Sequence, residues 1–500
     1  MVETEKQFSR NPDYNNFTIM NETDFSRLPL ACEMLRNLGE LGFTTMTPVQ
    51  AESLPHILEG RDVIAKARTG SGKTAAFGIG LVSRLEVTRF RVQSLVLCPT
   101  RELADQVANE LRRLARATPN VKILTLCGGA AFGPQYGSLL HGAHIVVGTP
   151  GRVLKHLDKG NLSLQALDTL VLDEADRMLD MGFIEEIERV IAHAPARRQT
   201  LLFSATFPER IVQLSTTVQI DAIFIQAPAA EEDLQISEYF YTAGEEDKTS
   251  LLVRIIAHHN PGNVLVFCNT KLETREVADN LCQAGIEALA IHGDLEQFER
   301  TDVLVRFANR SSAVLAATDV AARGLDIEDL EMVVNYDVPQ NEATYIHRIG
   351  RTGRAGKKGL AATIIAASNV RVMDQYRNET RQFFDADALR EVENFSLTPA
   401  NGTLVVEAGK KDKIRPGDLL GALTGKAGIA AKYVGKIDVH DRQSYVAIDR
   451  TVIDRAYLHL KNGRIKGRSY PVWVFGRTVP NDAGNVWQTS RHYQKQKQDR

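Results

Sequence analysis

Short apolar, β-branched runs alternate with helix-length amphipathic stretches along most of the chain, the signature of βαβ units built around a parallel sheet. In a first half the runs "VIAKA", "SLVLCPT", "KILTLCGG", "HIVVGTP", "TLVLDEA" and "TLLFSAT" predict strands, and in a second half "NVLVFCNT", "ALAIHG", "AVLAATD" and "MVVNYDV" do the same. Each run ends in a polar or glycine-containing turn. In an open α/β sheet ligands gather beyond the carboxyl ends of the strands, so these turns are the expected seat of any chemistry. The stretch "QAPAAEEDLQISE" breaks the alternation with proline and acid and reads as a linker between the halves.

After Ile365 the pattern turns helical and polar through about Ala400, as expected of a connector. A small third unit follows: "TLVVEAG" as a strand, "PGDLLGALTG" as a helix, "YVGKIDVH" and "QSYVAID" as a strand pair, "VIDRAYLHLKNG" as a helix and "YPVWVF" as a last strand. That βαββαβ order suits an α+β fold of the RNA-recognition type. The expected division is a polar segment 1–24, α/β domains 25–226 and 239–376, a linker 227–238, a connector 377–403, a third domain 404–476 and a polar tail 477–500 left disordered.

The length, 500 residues, suits about three domains at roughly 150 residues each. A net charge of −2 conceals an uneven spread: residues 404–500 hold 19 Lys and Arg against 9 Asp and Glu. The basic end is therefore the expected place for a nucleic-acid contact. Five cysteines show no CxxC spacing; Cys98, Cys127 and Cys268 lie in strand-like runs and read as buried apolar residues. Without an apolar leader or a membrane-length run, the chain reads as soluble and cytoplasmic, with no membrane partner and, by default, monomeric.

Two motifs carry chemistry. In "VIAKARTGSGKTAAF" a strand enters a turn formed by Gly70, Ser71 and Gly72 and leaves as a helix. The glycines permit positive φ, so successive N–H groups can face one concavity fit for a polyphosphate. Lys73 adds a charge for the outer phosphates, and the Thr74 hydroxyl can ligate magnesium. The helix N-terminus favours the same anion. Further along, "TLVLDEAD" ends a strand with Asp173, Glu174 and Asp176. Asp173 has the position of the carboxylate that holds Mg²⁺ on the β- and γ-phosphates of ATP, and Glu174 that of the group handling the attacking water.

With "DEAD" at Asp173 to Asp176, the sequence resembles the DEAD-box RNA helicases, and the family's other motifs follow in order. "GFTTMTPVQ" resembles the Q motif, with Phe25 seventeen residues before its start; then come "PTRELA", the pair Gly128 and Gly129, "TPGR", "SAT", "VFCNT", Gln297 with Arg300, "ATDVAARGLD" and "HRIGRTGR". The resemblance spans residues 25 to 376 and implies two tandem RecA-like domains that hydrolyse ATP. It implies that Gln50 reads the adenine, a pairing glutamine makes through N6 and N7, that Phe25 stacks on the base, and that Asp326 accepts a ribose hydroxyl. Arg351 and Arg354 are implied as arginine fingers, which elsewhere contribute about 10³–10⁵ in rate. Thr100, Arg101, Gly129, Thr149, Arg152, Arg300 and Thr318 are implied to grip RNA phosphates and sugars. Ser204, Thr206 and His347 are implied to couple RNA to ATP.

The third unit, especially "IRPGDLLGALTG", "VGKIDV" and "GRIKGRSYPVWV", is similar to the RNA-binding domain of the DbpA subfamily. Its aromatic signature for base stacking is weak, which turns attention to basic loops and to Arg464, Lys466 and Arg468. The resemblance implies recognition of a hairpin of 23S ribosomal RNA on large-subunit precursors. Two other readings are a general RNA helicase whose basic unit only raises affinity, and an ATP-dependent RNA clamp without productive unwinding.

Overall fold

The computed structural model describes residues 23–67, 70–226, 236–243, 247–322, 330–353, 358–366, 376–377, 380–390, 395–425, 429–476, 479–480 and 486–487. In the first half the strands are β1 (Val63–Lys66), β2 (Ser94–Leu97), β3 (Ile123–Leu126), β4 (Ile145–Gly148), β5 (Thr169–Asp173), β6 (Gln199–Ser204) and β7 (Ile223–Gln226). They form one parallel sheet in the order β3-β4-β2-β5-β6-β1-β7. Both faces are covered, which is why its central strands read as unbroken apolar runs. Val63, Ala65, Val96, Val171, Leu201 and Phe203 pack into one apolar layer. Their neighbours Leu95, Leu97, Leu170, Leu172 and Leu202 pack into the other.

The second half repeats the plan with β8 (Ile236–Thr242), β9 (Val264–Cys268), β10 (Ala288–Ile291), β11 (Val314–Thr318), β12 (Met332–Asn335), β13 (Gly359–Ile365) and β14 (Arg381–Asp385). This sheet is also parallel, in the order β10-β11-β9-β12-β13-β8-β14. The third unit has β15 (Asn401–Val406), β16 (Val434–Val439), β17 (Ser444–Asp449) and β18 (Val472–Val474), antiparallel in the order β16-β17-β15-β18. With helices Pro416–Thr424 and Ile453–Asn462 on one face, it is the expected βαββαβ fold.

The hydrophobic pattern leaves out β7, β8, β13 and β14. Strands β7 and β14 are edges with exposed positions: β7 is a short apolar run directly before the stretch read as linker, and β14 has only two apolar residues between polar ones. Strand β8 begins at Ile236, inside the stretch read as linker, and the stretch read as a helical connector instead holds β14 and the start of β15. In the tail, read as disordered, Val479–Pro480 pairs antiparallel with Val486–Trp487. Cys98, Cys127 and Cys268 are buried, and burial pushes the Cys127 thiol up to about 12. Among the described residues no helix is long and apolar enough to cross a membrane.

Candidate functional site

Strand order divides the carboxyl edge of the first sheet into two neighbouring groups. The adjacent strands β5, β6 and β1 end in the acidic motif, "SAT" and the glycine loop; β3, β4 and β2 end in the glycine pair, "TPGR" and "PTRELA". Residues expected to serve ATP and residues expected to serve RNA are thus sorted by topology before any side chain is considered.

Gly70 and Gly72 take φ of 83° and 90°, and Gly72 is the left-handed N-cap of the helix Lys73–Ser83. A Cβ on Gly72 would lie 2.5 Å from Gln50 Nε2, so the loop and the Q motif exclude any side chain there. Thr47 Oγ1 donates to the Ser71 carbonyl at 2.8 Å, and Gln50 Nε2 donates to the Gly72 carbonyl at 3.1 Å. The Thr47 N–H donates to Gln50 Oε1 at 2.9 Å, which closes a capping box. Gln50 is only 1% exposed, and these two bonds leave each end of its amide one further hydrogen-bonding capacity. Phe25 is 4% exposed with its ring edge-on to Phe43 at 6.4 Å, so the structure packs it as a core anchor and offers no open stacking face. Buried Lys73 donates to the Ala67 carbonyl at 3.0 Å, and Thr74 follows it in the first helical turn.

The acids at the end of β5 are buried. Asp173 is 2% exposed, and its Oδ1 has no hydrogen-bond partner among the described residues. Burial pushes its carboxyl up to about 6, with Lys73 pulling the other way. Glu174 holds a left-handed backbone, φ 52°, at the start of the helix Ala175–Asp180, and Arg177 Nη1 pairs with its Oε2 at 2.9 Å. Asp176 Oδ2 accepts from the Thr206 N–H at 2.9 Å and the Thr206 hydroxyl at 2.7 Å, while the Asp176 N–H donates to Ser204 Oγ at 3.3 Å. The acidic motif and "SAT" are therefore one hydrogen-bonded unit. In the RNA-side group, Thr100 caps the helix Arg101–Leu114, Arg101 pairs with Asp105 at 3.7 Å and Gly129 has φ 73°. Arg152, in the helix that Thr149 starts, donates to the Ala130 carbonyl and Gln135 Oε1, tying "TPGR" to the glycine-pair loop.

At the carboxyl edge of the second sheet the buried charge is positive. Arg348, 2% exposed, makes a fork-like pair with Asp319, Nε to Oδ1 at 2.8 Å and Nη2 to Oδ2 at 2.6 Å. Its Nη1 donates to the Asp337 carbonyl at 2.8 Å, and the guanidinium lies over Phe267. Arg351 follows, also buried, with His347 in the same helical turn. Thr318 ends β11, and Arg300 lies in the first turn of the helix Gln297–Ala308. Arg354 and Asp326 lie outside the described residues.

In the third unit, Lys410, Lys413, Ile414, Arg415 and Lys466 line a groove of about 440 Å³. Lys413 and Lys466 both adopt left-handed backbones, and Lys466 Nζ reaches the Lys413 carbonyl at 3.0 Å and Asp418 at 3.3 Å. Arg464 and Arg468 are exposed on the same turn without lining the groove.

Residues 47–214 match the DEAD/DEAH box helicase family, residues 247–356 the helicase conserved C-terminal domain and residues 403–474 the DbpA RNA binding domain. The chain is 51% identical over 458 residues to the ATP-dependent RNA helicase DbpA of Escherichia coli K12, covering 89% of this chain and 98% of that protein. It belongs to the DEAD-box RNA helicases. The helicase is also 37% identical over 472 residues to DbpA of Bacillus subtilis 168, covering 90% of this chain and 98% of that one. It resembles the structure of Saccharomyces cerevisiae Dbp5 bound to RNA and ADP BeF3, at 31% identity and a TM-score of 0.66, over 73% of this chain and 96% of that one.

Sequence reasoning gave the helicase no role for Arg177, Asp319 or Arg348, although each sits within or beside a quoted motif. Their signal was present as charge inside runs otherwise destined for burial. A buried charge requires a partner: Glu174 stands three residues before Arg177, and Asp319 lies in a different quoted motif from Arg348.

Proposed function

We propose that this ATP-dependent RNA helicase separates short RNA duplexes at sites chosen by its third domain, and that the chosen site is a hairpin of 23S ribosomal RNA during assembly of the large ribosomal subunit. The observation that carries the reading is the pairing of a DbpA RNA binding domain, residues 403–474, with the groove of four cations on its surface. A helicase track that grips backbone accepts many sequences, so choice has to come from elsewhere in the chain. Four cations converging on one groove suit a folded phosphate backbone, and the RNA binding should weaken steeply with salt.

Within the first domain, Lys73 and the N–H groups of the glycine loop bind the phosphates of ATP. The donor set fits magnesium: Asp173 presents a buried oxygen that no other described residue satisfies, and the Thr74 hydroxyl stands at the loop. Magnesium, when bound, neutralises charge on the transferring phosphoryl group. Glu174, held by Arg177, orients the attacking water and takes its proton. Arg351 and Arg354 stabilise the charge that develops on the γ-phosphate. Asp176 links this chemistry to "SAT". Gln50 selects adenine by the amide capacity it keeps.

The test is ATPase activity against a panel of RNAs: intact ribosomal RNA, a fragment carrying the peptidyl-transferase-region hairpins, unrelated structured RNA and DNA. Stimulation by the hairpin fragment at far lower concentration than by unrelated RNA is expected. Equal response to all RNAs would leave a general RNA helicase.

A further inference from the structure

The sheet of the third domain has two faces with different fates. Leu404, Val406, Val446, Ile448, Val472 and Val474 point to its own helices. Register places Val405 beside Tyr445 and Trp473 on the opposite face. That face, which a fold of this type uses to stack bases, is covered by the second helicase domain. Val305, on the helix Gln297–Ala308, packs against Val405 and Tyr445, with Trp473 and Phe475 beside them. The Arg306 guanidinium lies 5.8 Å from the Phe475 ring centroid, and Phe475 stacks on Tyr445 at 6.0 Å. The Tyr445 hydroxyl donates to Asp302 Oδ1 at 3.3 Å. Around this patch Asn309 and Ser311 hydrogen-bond Thr403 at 3.1 and 2.8 Å, and Arg450 pairs with Glu287 at 2.6 Å.

The same helix carries Arg300 in its first turn, so one rigid rod of 12 residues, about 18 Å long, bears an RNA-track residue at one end and the third domain's sheet along the rest. We propose that this helix is a mechanical coupler: RNA held by the third domain is fixed in place relative to Arg300, and Val305, Arg306, Tyr445 and Phe475 are positioning residues that decide which RNA stimulates ATP hydrolysis. The inference rests on the RNA roles assigned above. It goes beyond them in removing the sheet face from RNA contact and making it an interdomain joint. An interface of packed aromatics with hydrogen bonds and an ion pair at its margin holds one geometry, whereas a domain on a flexible tether only raises local concentration.

The experiment uses the full chain carrying Val305→Asp, which sets a charge against Val405 and Tyr445 while leaving the core of each domain intact. ATP-free binding of the ribosomal hairpin should be unchanged, because the groove is untouched. The hairpin concentration for half-maximal ATPase stimulation should rise about tenfold or more, since a misplacement of an ångström already costs much of the gain from orientation. Stimulation by unstructured RNA should stay the same. The charge swap Glu287→Arg with Arg450→Glu gives a second reading: each change alone should shift hairpin stimulation, and the pair should restore it. Hairpin stimulation that stays unchanged in Val305→Asp and in Val305→Asp/Arg306→Glu overturns the coupling. Loss of ATP-free hairpin binding in Val305→Asp also overturns it, because the sheet face would then belong to the RNA surface. An unmutated chain that shows no preference for the hairpin overturns the targeting reading instead.

Discussion

The two parallel sheets share an architecture and carry opposite charge at the same edge. The first collects Asp173, Glu174 and Asp176 beyond its strands; the second collects Arg348 and Arg351. The more instructive difference is in satisfaction. Arg348 spends its guanidinium on Asp319, the Asp337 carbonyl and the Phe267 ring, and Asp176 spends its carboxylate on Thr206 and the Arg177 N–H. Asp173 keeps an oxygen without a hydrogen-bond partner among the described residues. The contacts of Arg348 and Asp176 brace the fold, whereas the bare oxygen of Asp173 is open to a ligand.

The largest effect that follows from this contrast is on turnover. Glu174→Gln should bind ATP normally and lower hydrolysis by about 10²–10⁴, the usual worth of a positioned base, measured in single turnover. Hydrolysis near the unmutated rate would remove Glu174 from the reaction. Next, Arg348→Ala should cost about 3–5 kcal/mol of the second domain's stability, because it strands Asp319 and opens a buried network. Denaturant unfolding reads this directly, and a change below about 1 kcal/mol would show the network to be idle.

Asp173→Asn should abolish hydrolysis and yet raise the melting temperature in magnesium-free, nucleotide-free buffer, since it removes a buried charge whose desolvation outweighs the pull of Lys73. The sign with pH follows from a carboxyl moved from 3.8 to about 6. The folded state holds a proton there that the unfolded state has lost, so this contribution to stability is present below the lower value and declines as pH rises through the upper one. Magnesium affinity runs the other way and should fall with pH, because the proton competes with the metal for that carboxylate. A melting temperature that is unchanged or lower in Asp173→Asn at pH 7 would contradict the reading of Asp173 as strained for a ligand.

A smaller effect separates the two roles of the Q motif. Gln50→Ala removes both the tie to the Gly72 carbonyl and the amide left for a base, so ATP affinity and adenine preference should weaken together by about 1–3 kcal/mol. Unaltered discrimination between ATP and GTP would restrict Gln50 to bracing the loop.

Much of this was legible in the sequence because central strands of a doubly covered sheet are continuous apolar runs and the chemistry sits where they end. The glycine loop and the acids could be placed on turns for that reason, whereas the arginine-rich motif directly follows no predicted strand and begins inside a helix. An edge strand such as β14, with two apolar residues between polar ones, lacks the run, so its pattern does not separate it from a loop. Phe25 shows another limit: an aromatic at a fixed spacing reads equally as a stacking platform or a core anchor, and only its contact with Phe43 decides. The cation groove is assembled from Lys410 to Arg415 and Lys466, some fifty residues apart in sequence, and proximity of that kind is a property of the folded domain.

The central claim is that buried charge in the two sheets performs hydrolysis while exposed charge on the third domain selects the RNA. It is tested most directly in the full chain with Lys410, Lys413 and Lys466 changed together to Glu, by titrating hairpin RNA and unrelated RNA against ATPase rate. The rate at saturating RNA should match the unmutated protein, while the hairpin concentration for half-maximal rate should rise to that of unrelated RNA and lose its steep dependence on salt. A variant that still prefers the hairpin, or one whose saturated rate collapses, would contradict the division.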